Sequence, residues 1–92
     1  MGFRQKSCAY LDSVKNIKKA NAYACSECLK TGDPWVHLRT CQDCGVTLCC
    51  DSSPNKHASK HAKEQNHVVV SSAEPQEKWL WCYIHKTIKE YS

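Results

Sequence analysis

The chain has 92 residues and a formal net charge of +4 at pH 7. This length suits one domain, and a domain this small often needs disulfides or metal ions to supplement its core. Hydrophobic residues make up 41% of the chain, but eight of its residues are cysteines, so few large aliphatic side chains remain. The longest aliphatic run, Val68–Val70, predicts no transmembrane helix. The scattered lysines lack the dense basic stripe of a nucleic-acid surface.

The first half of the chain predicts a helix followed by two short strands. Residues 1–7 are expected to form a loose end. Apolar residues at helical spacing predict a helix over 11–20. Strands are predicted over 35–39 and 46–48, within the segment that holds most of the cysteines.

The second half contains the main predicted helix. Ser52-Ser53-Pro54 resembles a helix start, since serine caps free N–H groups and proline suits the first turn, and the helix is expected to end near Gln65. The remaining predictions are strands over 68–70 and 78–83, a turn over 74–77, and a short helix over 84–91, with residues 86–92 only loosely ordered. Together these elements predict one domain over 1–92, a small α+β fold with a short antiparallel sheet, stapled by zinc.

The cysteines indicate bound metal rather than disulfides. Met1–Lys6 lacks the apolar segment of a signal peptide. We therefore expect a cytoplasmic protein, because clustered cysteines in a reducing compartment more often bind metal. The strongest motif is Cys25-x2-Cys28, followed after twelve residues by Cys41-x2-Cys44. Two intervening residues let both thiolates of a pair reach one Zn²⁺.

Further candidate ligands follow these pairs, and their spacing permits two arrangements. In a sequential arrangement, the four paired cysteines share one zinc, and a second zinc is held by Cys49 with His57, His61 and His67. In a cross-braced arrangement, the first cysteine pair takes Cys49 and His57, and the second pair takes His61 and His67. Cys50 competes with Cys49 for the same role. A third, weaker group consists of Cys8, Cys82 and His85, so that two or three Zn²⁺ ions are expected.

The combined pattern resembles the UBP-type zinc finger, the ubiquitin-tail-binding finger of deubiquitinating enzymes and of a histone deacetylase. The resemblance covers residues 8–85 and rests on the cysteine pairs, the histidines, Trp35, Cys44-Gly45 and Trp81-Cys82-Tyr83. It implies a compact α+β fold with cross-braced ligands. The implied ligands are Cys25, Cys28, Cys49 and His57 for the first zinc, and Cys41, Cys44, His61 and His67 for the second.

The chain departs from the family's ligand pattern in two places, around Cys49 and at the third zinc site. Counting forward from Cys44 favours Cys49 as the ligand, whereas counting back from His57 favours Cys50, and we choose Cys49. Members with a third zinc have Cys-x-His near the start and Cys-x2-Cys near the end. Here Cys8 is followed by Ala-Tyr and Cys82 by Tyr-Ile-His, so the third site is incomplete.

The resemblance also implies a pocket for the free Gly-Gly end of ubiquitin, with aromatic walls and an arginine that pairs with the carboxylate. Trp35, Trp81 and Tyr83 fall on the aromatic positions. Asp51 stands where the family has its arginine, and a carboxylate there would repel the tail. Arg39, on the predicted strand after Trp35, could supply a cation to the same pocket.

These observations predict a non-enzymatic interaction module that binds a protein or peptide C-terminal tail, of the type found in stand-alone prokaryotic members. Two alternatives stay open. The incomplete Cys8, Cys82 and His85 group, or the thiol of Cys50, could serve an enzyme. Alternatively, the basic charge and the zinc could serve nucleic-acid binding, although the spacing differs from that of C₂H₂ fingers.

Overall fold

The computed structural model describes residues 8–20, 22–74 and 76–91, so the predicted loose end at residues 1–7 lies outside it. The described residues form three helices and five strands. In chain order these are α1 (Ala9–Asp12), α2 (Ser26–Thr31), β1 (Leu38–Cys41), β2 (Thr47–Cys49), α3 (His57–Gln65), β3 (Val69–Ser72), β4 (Trp79–Cys82) and β5 (Thr87–Glu90).

All five strands belong to one antiparallel sheet in the order β2-β1-β3-β4-β5. With α3 as the longest helix, this architecture confirms the predicted small α+β fold. None of the helices in the described residues is long and apolar enough to cross a membrane.

Cysteines fill much of the buried core, which consists of two clusters. The first core cluster is Cys8, Leu11, Val68, Val69, Leu80 and Cys82. The second core cluster is Cys25, Cys28, Leu38, Leu48, Cys49 and Ala58. Five of these twelve residues are cysteines, so the aliphatic part of the core is small and leaves a role for bound metal in stability.

The predicted helix over 11–20 was wrong in length. The structure has only one helical turn, α1, and it ends where the hydroxyl of Ser13 donates a hydrogen bond to the carbonyl of Tyr10 at 2.8 Å. Val14 and Ile17 nevertheless pack against the first core cluster. Their apolar spacing therefore predicted burial correctly, but it did not predict the backbone conformation.

The main helix begins later than predicted, at His57 rather than near Ser52. The hydroxyl of Ser53 accepts a hydrogen bond from the backbone N–H of Val36 at 2.8 Å, so it joins the loop to the chain before β1 and caps no helix. Lys56 adopts a left-handed conformation with φ 49°, and α3 starts directly after it. The predicted end near Gln65 is correct.

The C-terminal segment contains a strand, which corrects the prediction of a helix over 84–91. The loose order predicted for residues 86–92 stays a prediction, and Ser92 lies outside the described residues. β5 pairs with β4 along its whole length, with Ile88 opposite Trp81. Lys86 has φ 51°, and this left-handed residue closes the turn that reverses the chain between the strands. A lysine gives no sequence signal for such a turn, because glycine or asparagine usually occupies it.

Candidate metal centres and binding pocket

The first metal cluster consists of four side chains, one from the residue before α2 and one each from α2, β2 and α3: Cys25, Cys28, Cys49 and His57. The Nδ1 atom of His57 lies 3.4 Å from the Sγ atoms of Cys25 and Cys28 and 3.5 Å from that of Cys49. The Sγ atoms of Cys28 and Cys49 are 3.9 Å apart. All three cysteines are fully buried, so their thiols face one another without water.

These distances match the edges of a tetrahedral zinc site. With Zn–S near 2.3 Å and Zn–N near 2.0–2.1 Å, the edges are about 3.8 Å between two sulfurs and about 3.5 Å between sulfur and nitrogen. Burial, together with the neighbouring thiols of Cys25 and Cys49, raises the pKa of Cys28 to about 12 in the absence of a cation. Three thiolates therefore need a bound cation to coexist here, and Zn²⁺ fits the cluster.

Local backbone geometry presents these sulfurs. Cys25 precedes α2, and its Sγ accepts a hydrogen bond from the N–H of Cys28 at 3.3 Å. Gly32, with φ 75°, ends the helix after six residues. The Sγ of Cys49 accepts the N–H of His57 at 3.2 Å. Sequence reasoning missed α2, although a cysteine at its start and a glycine at its end fit a short helix.

The second metal cluster consists of Cys41, Cys44, His61 and His67. The Nε2 of His61 lies 3.4 Å from the Sγ of Cys44 and 3.3 Å from the Nδ1 of His67, which is 3.6 Å from the Sγ of Cys41. The nitrogen–nitrogen edge of a tetrahedral zinc site is about 3.3 Å. Burial and the nearby charge of His67 lower the pKa of His61, which favours the neutral imidazole that binds metal.

The helix α3 joins the two metal clusters. His57 and His61 lie four residues apart, yet the first belongs to one cluster and the second to the other. The geometry therefore groups the side chains in the cross-braced arrangement and not in the sequential one. Each cluster thereby links distant parts of the chain.

Cys50 lies outside both metal clusters. Its backbone N–H donates to the carbonyl of His37 at 3.0 Å, and its Sγ lies 3.7 Å from the hydroxyl of Ser53. Burial acts to raise the pKa of Cys50, but hydrogen bonds from Ser53 and the backbone and the charge of Arg39 outweigh it and lower the pKa. Of the two adjacent cysteines, Cys49 is the one placed to hold metal.

A third cluster brings together Cys8, Cys82 and His85, which offer three potential ligands. The Nδ1 of His85 lies 3.0 Å from the Sγ of Cys8. This separation is shorter than the sulfur–nitrogen edge of about 3.5 Å in a tetrahedral zinc site, and it corresponds to a direct hydrogen bond. Burial acts to raise the pKa of Cys8, but the hydrogen bond with His85 contributes to a net lowering.

A cavity of about 240 Å³ opens on the face of the sheet where β4 and β5 lie side by side. Its lining comprises Arg39, Cys50, Asp51, Ser52, Trp79, Trp81, Tyr83 and Ile88. The guanidinium carbon of Arg39 lies 4.7 Å from the ring centre of Trp79, and the rings of Trp81 and Tyr83 meet edge to face at 6.3 Å. We call this cavity the aromatic pocket.

Trp35, a predicted wall of the pocket, is not in its lining but packs against the second core cluster. Trp79, which sequence reasoning left out, takes part instead. Its position was detectable, because Trp79 and Trp81 are two residues apart in one strand and share a face of the sheet. Ile88 could not be found in this way, since β5 was predicted as a helix.

The aromatic pocket contains two opposite charges that are not paired with each other. Arg39 is half-buried and Asp51 is exposed. Among the described residues the ion pairs are Lys30–Glu27 and Lys89–Asp12, so neither Arg39 nor Asp51 belongs to one. Burial and the negative charge of Asp51 raise the pKa of Tyr83, while Arg39 opposes this shift, so both charges act on the same phenol.

Comparisons with known proteins agree with this geometry. The family zf-UBP, described as "Zn-finger in ubiquitin-hydrolases and other protein", matches residues 25–90. A protein of Rhodopseudomonas palustris, solved by solution NMR in a structural-genomics programme, superposes with a TM-score of 0.80 and is 38% identical, covering 95% of this chain and 84% of its own. A search of curated protein sequences found no match.

Proposed function

Because the chain belongs to the family of UBP-type zinc fingers, we propose that it is a non-catalytic module that binds the free carboxyl end of a peptide. The metal clusters stabilise the fold, and the aromatic pocket holds the ligand. The observation that carries the proposal is Arg39, a half-buried cation at the wall of an aromatic cavity that forms no ion pair with any described residue.

Two zinc ions hold the domain together in this proposal. Their ligands are the four side chains of each complete metal cluster, Cys25, Cys28, Cys49 and His57 for the first and Cys41, Cys44, His61 and His67 for the second. A zinc ion with four protein ligands is structural, because it keeps no open position for a substrate. Thiolates must stay reduced to bind it, which supports a cytoplasmic location.

Arg39 is suited to a carboxylate. A guanidinium offers a rigid fork of N–H donors that matches two carboxylate oxygens. Stacking on Trp79 fixes the plane of the fork, and the Nη1 atom donates to the carbonyl of Leu38 at 2.9 Å. The other guanidinium donors bond to no described residue and are available to a ligand, while Trp81 and Tyr83 provide apolar contact for its backbone.

The test compares one peptide with a free carboxyl end and the same peptide amidated, by tryptophan fluorescence of the zinc-loaded protein. A lost charge-assisted pair costs about 1.5–3 kcal/mol, so the amide should bind roughly tenfold or more weakly. Arg39→Gln should remove the difference. Lys63→Gln, on the exposed surface of α3, is the matched control and should retain it. Equal binding of both peptides by the unaltered protein would contradict the proposal.

A further inference from the structure

We infer that the peptide end bound in the aromatic pocket carries a positively charged side chain on its last residue, a C-terminal lysine or arginine. This inference rests on the proposed function and specifies its ligand. It follows from Asp51, which lines the same cavity as Arg39 but has the opposite charge.

The cavity is small enough for one residue to contact both charges. About 240 Å³ is smaller than the roughly 300–1,000 Å³ of pockets for drug-sized ligands. This volume suits the terminal residue of a peptide, with the preceding residues outside the cavity. The α-carboxylate and the side-chain cation of that residue then face Arg39 and Asp51.

The unpaired state of the two charges makes the pocket complementary to such a residue. In the described residues Arg39 and Asp51 form no ion pair with each other or with another side chain. Tyr83 lines the same cavity as both charged residues. A ligand with a carboxylate alone would satisfy Arg39 and leave its negative charge facing Asp51.

The apolar lining suits the long stem of a basic side chain. Trp81 and Ile88 lie directly opposite each other on β4 and β5, and both line the cavity. Lysine and arginine bury their methylene stems on apolar surface and keep the charged head near water. Asp51 is exposed at the rim, where that head would meet it.

A matched set of peptides tests this inference on the zinc-loaded protein. The peptides share one sequence and end in lysine, norleucine or glutamate with a free carboxyl group. Because Asp51 is exposed, its pair with the ligand is weak and screened by salt, so lysine should bind about three to five times more tightly than norleucine at low salt. Glutamate should bind more weakly than norleucine.

Variants separate the contribution of Asp51 from other causes. Asp51→Asn should make lysine and norleucine peptides bind equally, and Asp51→Lys should reverse the order so that glutamate binds best. Glu64→Gln removes an exposed acid from α3, outside the pocket, and should leave the preference for lysine intact. Unchanged zinc content in each variant shows that the fold is retained.

The outcomes distinguish this inference from the proposed function. If peptides with a free carboxyl end bind through Arg39 but lysine has no advantage over norleucine, the inference is overturned and the proposed function stands. If no peptide prefers a free carboxyl end, both fail. Free arginine or lysine that binds as tightly as the peptide would also overturn the inference, because the ligand would then be an amino acid.

Discussion

The adjacent residues Cys49 and Cys50 differ in role although their side chains are chemically identical. Cys49 ends a strand with its sulfur among two other thiols and an imidazole, whereas Cys50 faces Ser53 and the aromatic pocket. Alternation along an extended chain accounts for the difference, because successive side chains point to opposite sides. Counting residues forward from Cys44 and back from His57 gave different cysteines, so the sequence could not decide between them.

Cys49→Ser should therefore release one zinc ion per chain, and Cys50→Ser should release none. The apparent free energy of structural zinc in small fingers is about 10–16 kcal/mol, so loss of one ligand should unfold or loosen the domain. Metal analysis of the purified variants, with circular dichroism for the fold, measures both effects. Retained zinc in Cys49→Ser together with loss in Cys50→Ser would reverse the assignment.

Asp51 sets a second expectation at the scale of single residues. Beside a tail that ends in Gly-Gly, as in ubiquitin, it offers only repulsion. We expect Asp51→Arg to strengthen binding of a Gly-Gly peptide about tenfold or more, because it exchanges a like charge for a charge-assisted pair. Titration by tryptophan fluorescence measures the gain, and amidation of the peptide should remove it. A variant that binds no better would indicate that Arg39 alone receives the carboxylate.

At the scale of elements, the metal ligands were easier to predict than the elements that carry them. Spacing within Cys25-x2-Cys28 and Cys41-x2-Cys44 follows from the reach of two thiolates to one ion, so it is visible in the sequence. The helix and strand limits depend instead on left-handed residues such as Lys56 and Lys86. Lysine is uncommon in that conformation, and only tertiary contacts make it favourable there.

The same reason explains why the pocket was predicted only in part. Trp81 and Tyr83 were identified by resemblance, and Arg39 by its place after Trp35. Ile88 required knowledge of β5, and the register of β5 depends on the turn that Lys86 closes. A pocket assembled from β1, β4, β5 and the loop after β2 leaves little trace in local composition.

The turn that presents the second cysteine pair gives a test at this scale. Gly45 has φ 83° between Cys44 and β2, and its N–H donates to the carbonyl of Cys41 at 2.8 Å. An added Cβ would meet only the Lys18 side chain, at an ordinary 3.8 Å, so the cost of Gly45→Ala comes from the backbone, about 1–2 kcal/mol. For a domain of this size, each 1 kcal/mol lowers Tm by about 4–8 °C.

Gly32→Ala is the matched variant, since Gly32 has φ 75° and open space around its Cβ position. It should lower Tm by a similar amount. Gly45→Ala should also hasten release to a chelator of the zinc held by Cys41 and Cys44, because Gly45 positions that pair, whereas Gly32 ends the helix that carries Cys28 of the first metal cluster. Release of the second zinc that is no faster in Gly45→Ala than in Gly32→Ala would show that the turn does not tune the second metal cluster.

At the scale of the whole molecule, the metal clusters supplement a small apolar core. Each complete metal cluster joins residues far apart in sequence, and α3 belongs to both clusters, so the sheet and the helix are held as one unit. The aromatic pocket lies on that sheet, and the loop that supplies Asp51 follows Cys49 directly. Binding at the pocket should therefore depend on the first zinc.

The third cluster should contribute little to this unit. Cys8, Cys82 and His85 offer three ligands, and the hydrogen bond of 3.0 Å between His85 and Cys8 would have to open to admit an ion. We expect two tightly held Zn²⁺ ions per chain and a third that loads only in zinc excess. During titration with a chelator, that third ion should leave first without loss of secondary structure, and the domain should unfold only as the other two leave.

His85→Ala removes an exposed ligand and should leave both tight ions and Tm unchanged. A drop of one tightly bound zinc in His85→Ala, with a large loss of Tm, would show that the third cluster is structural as well.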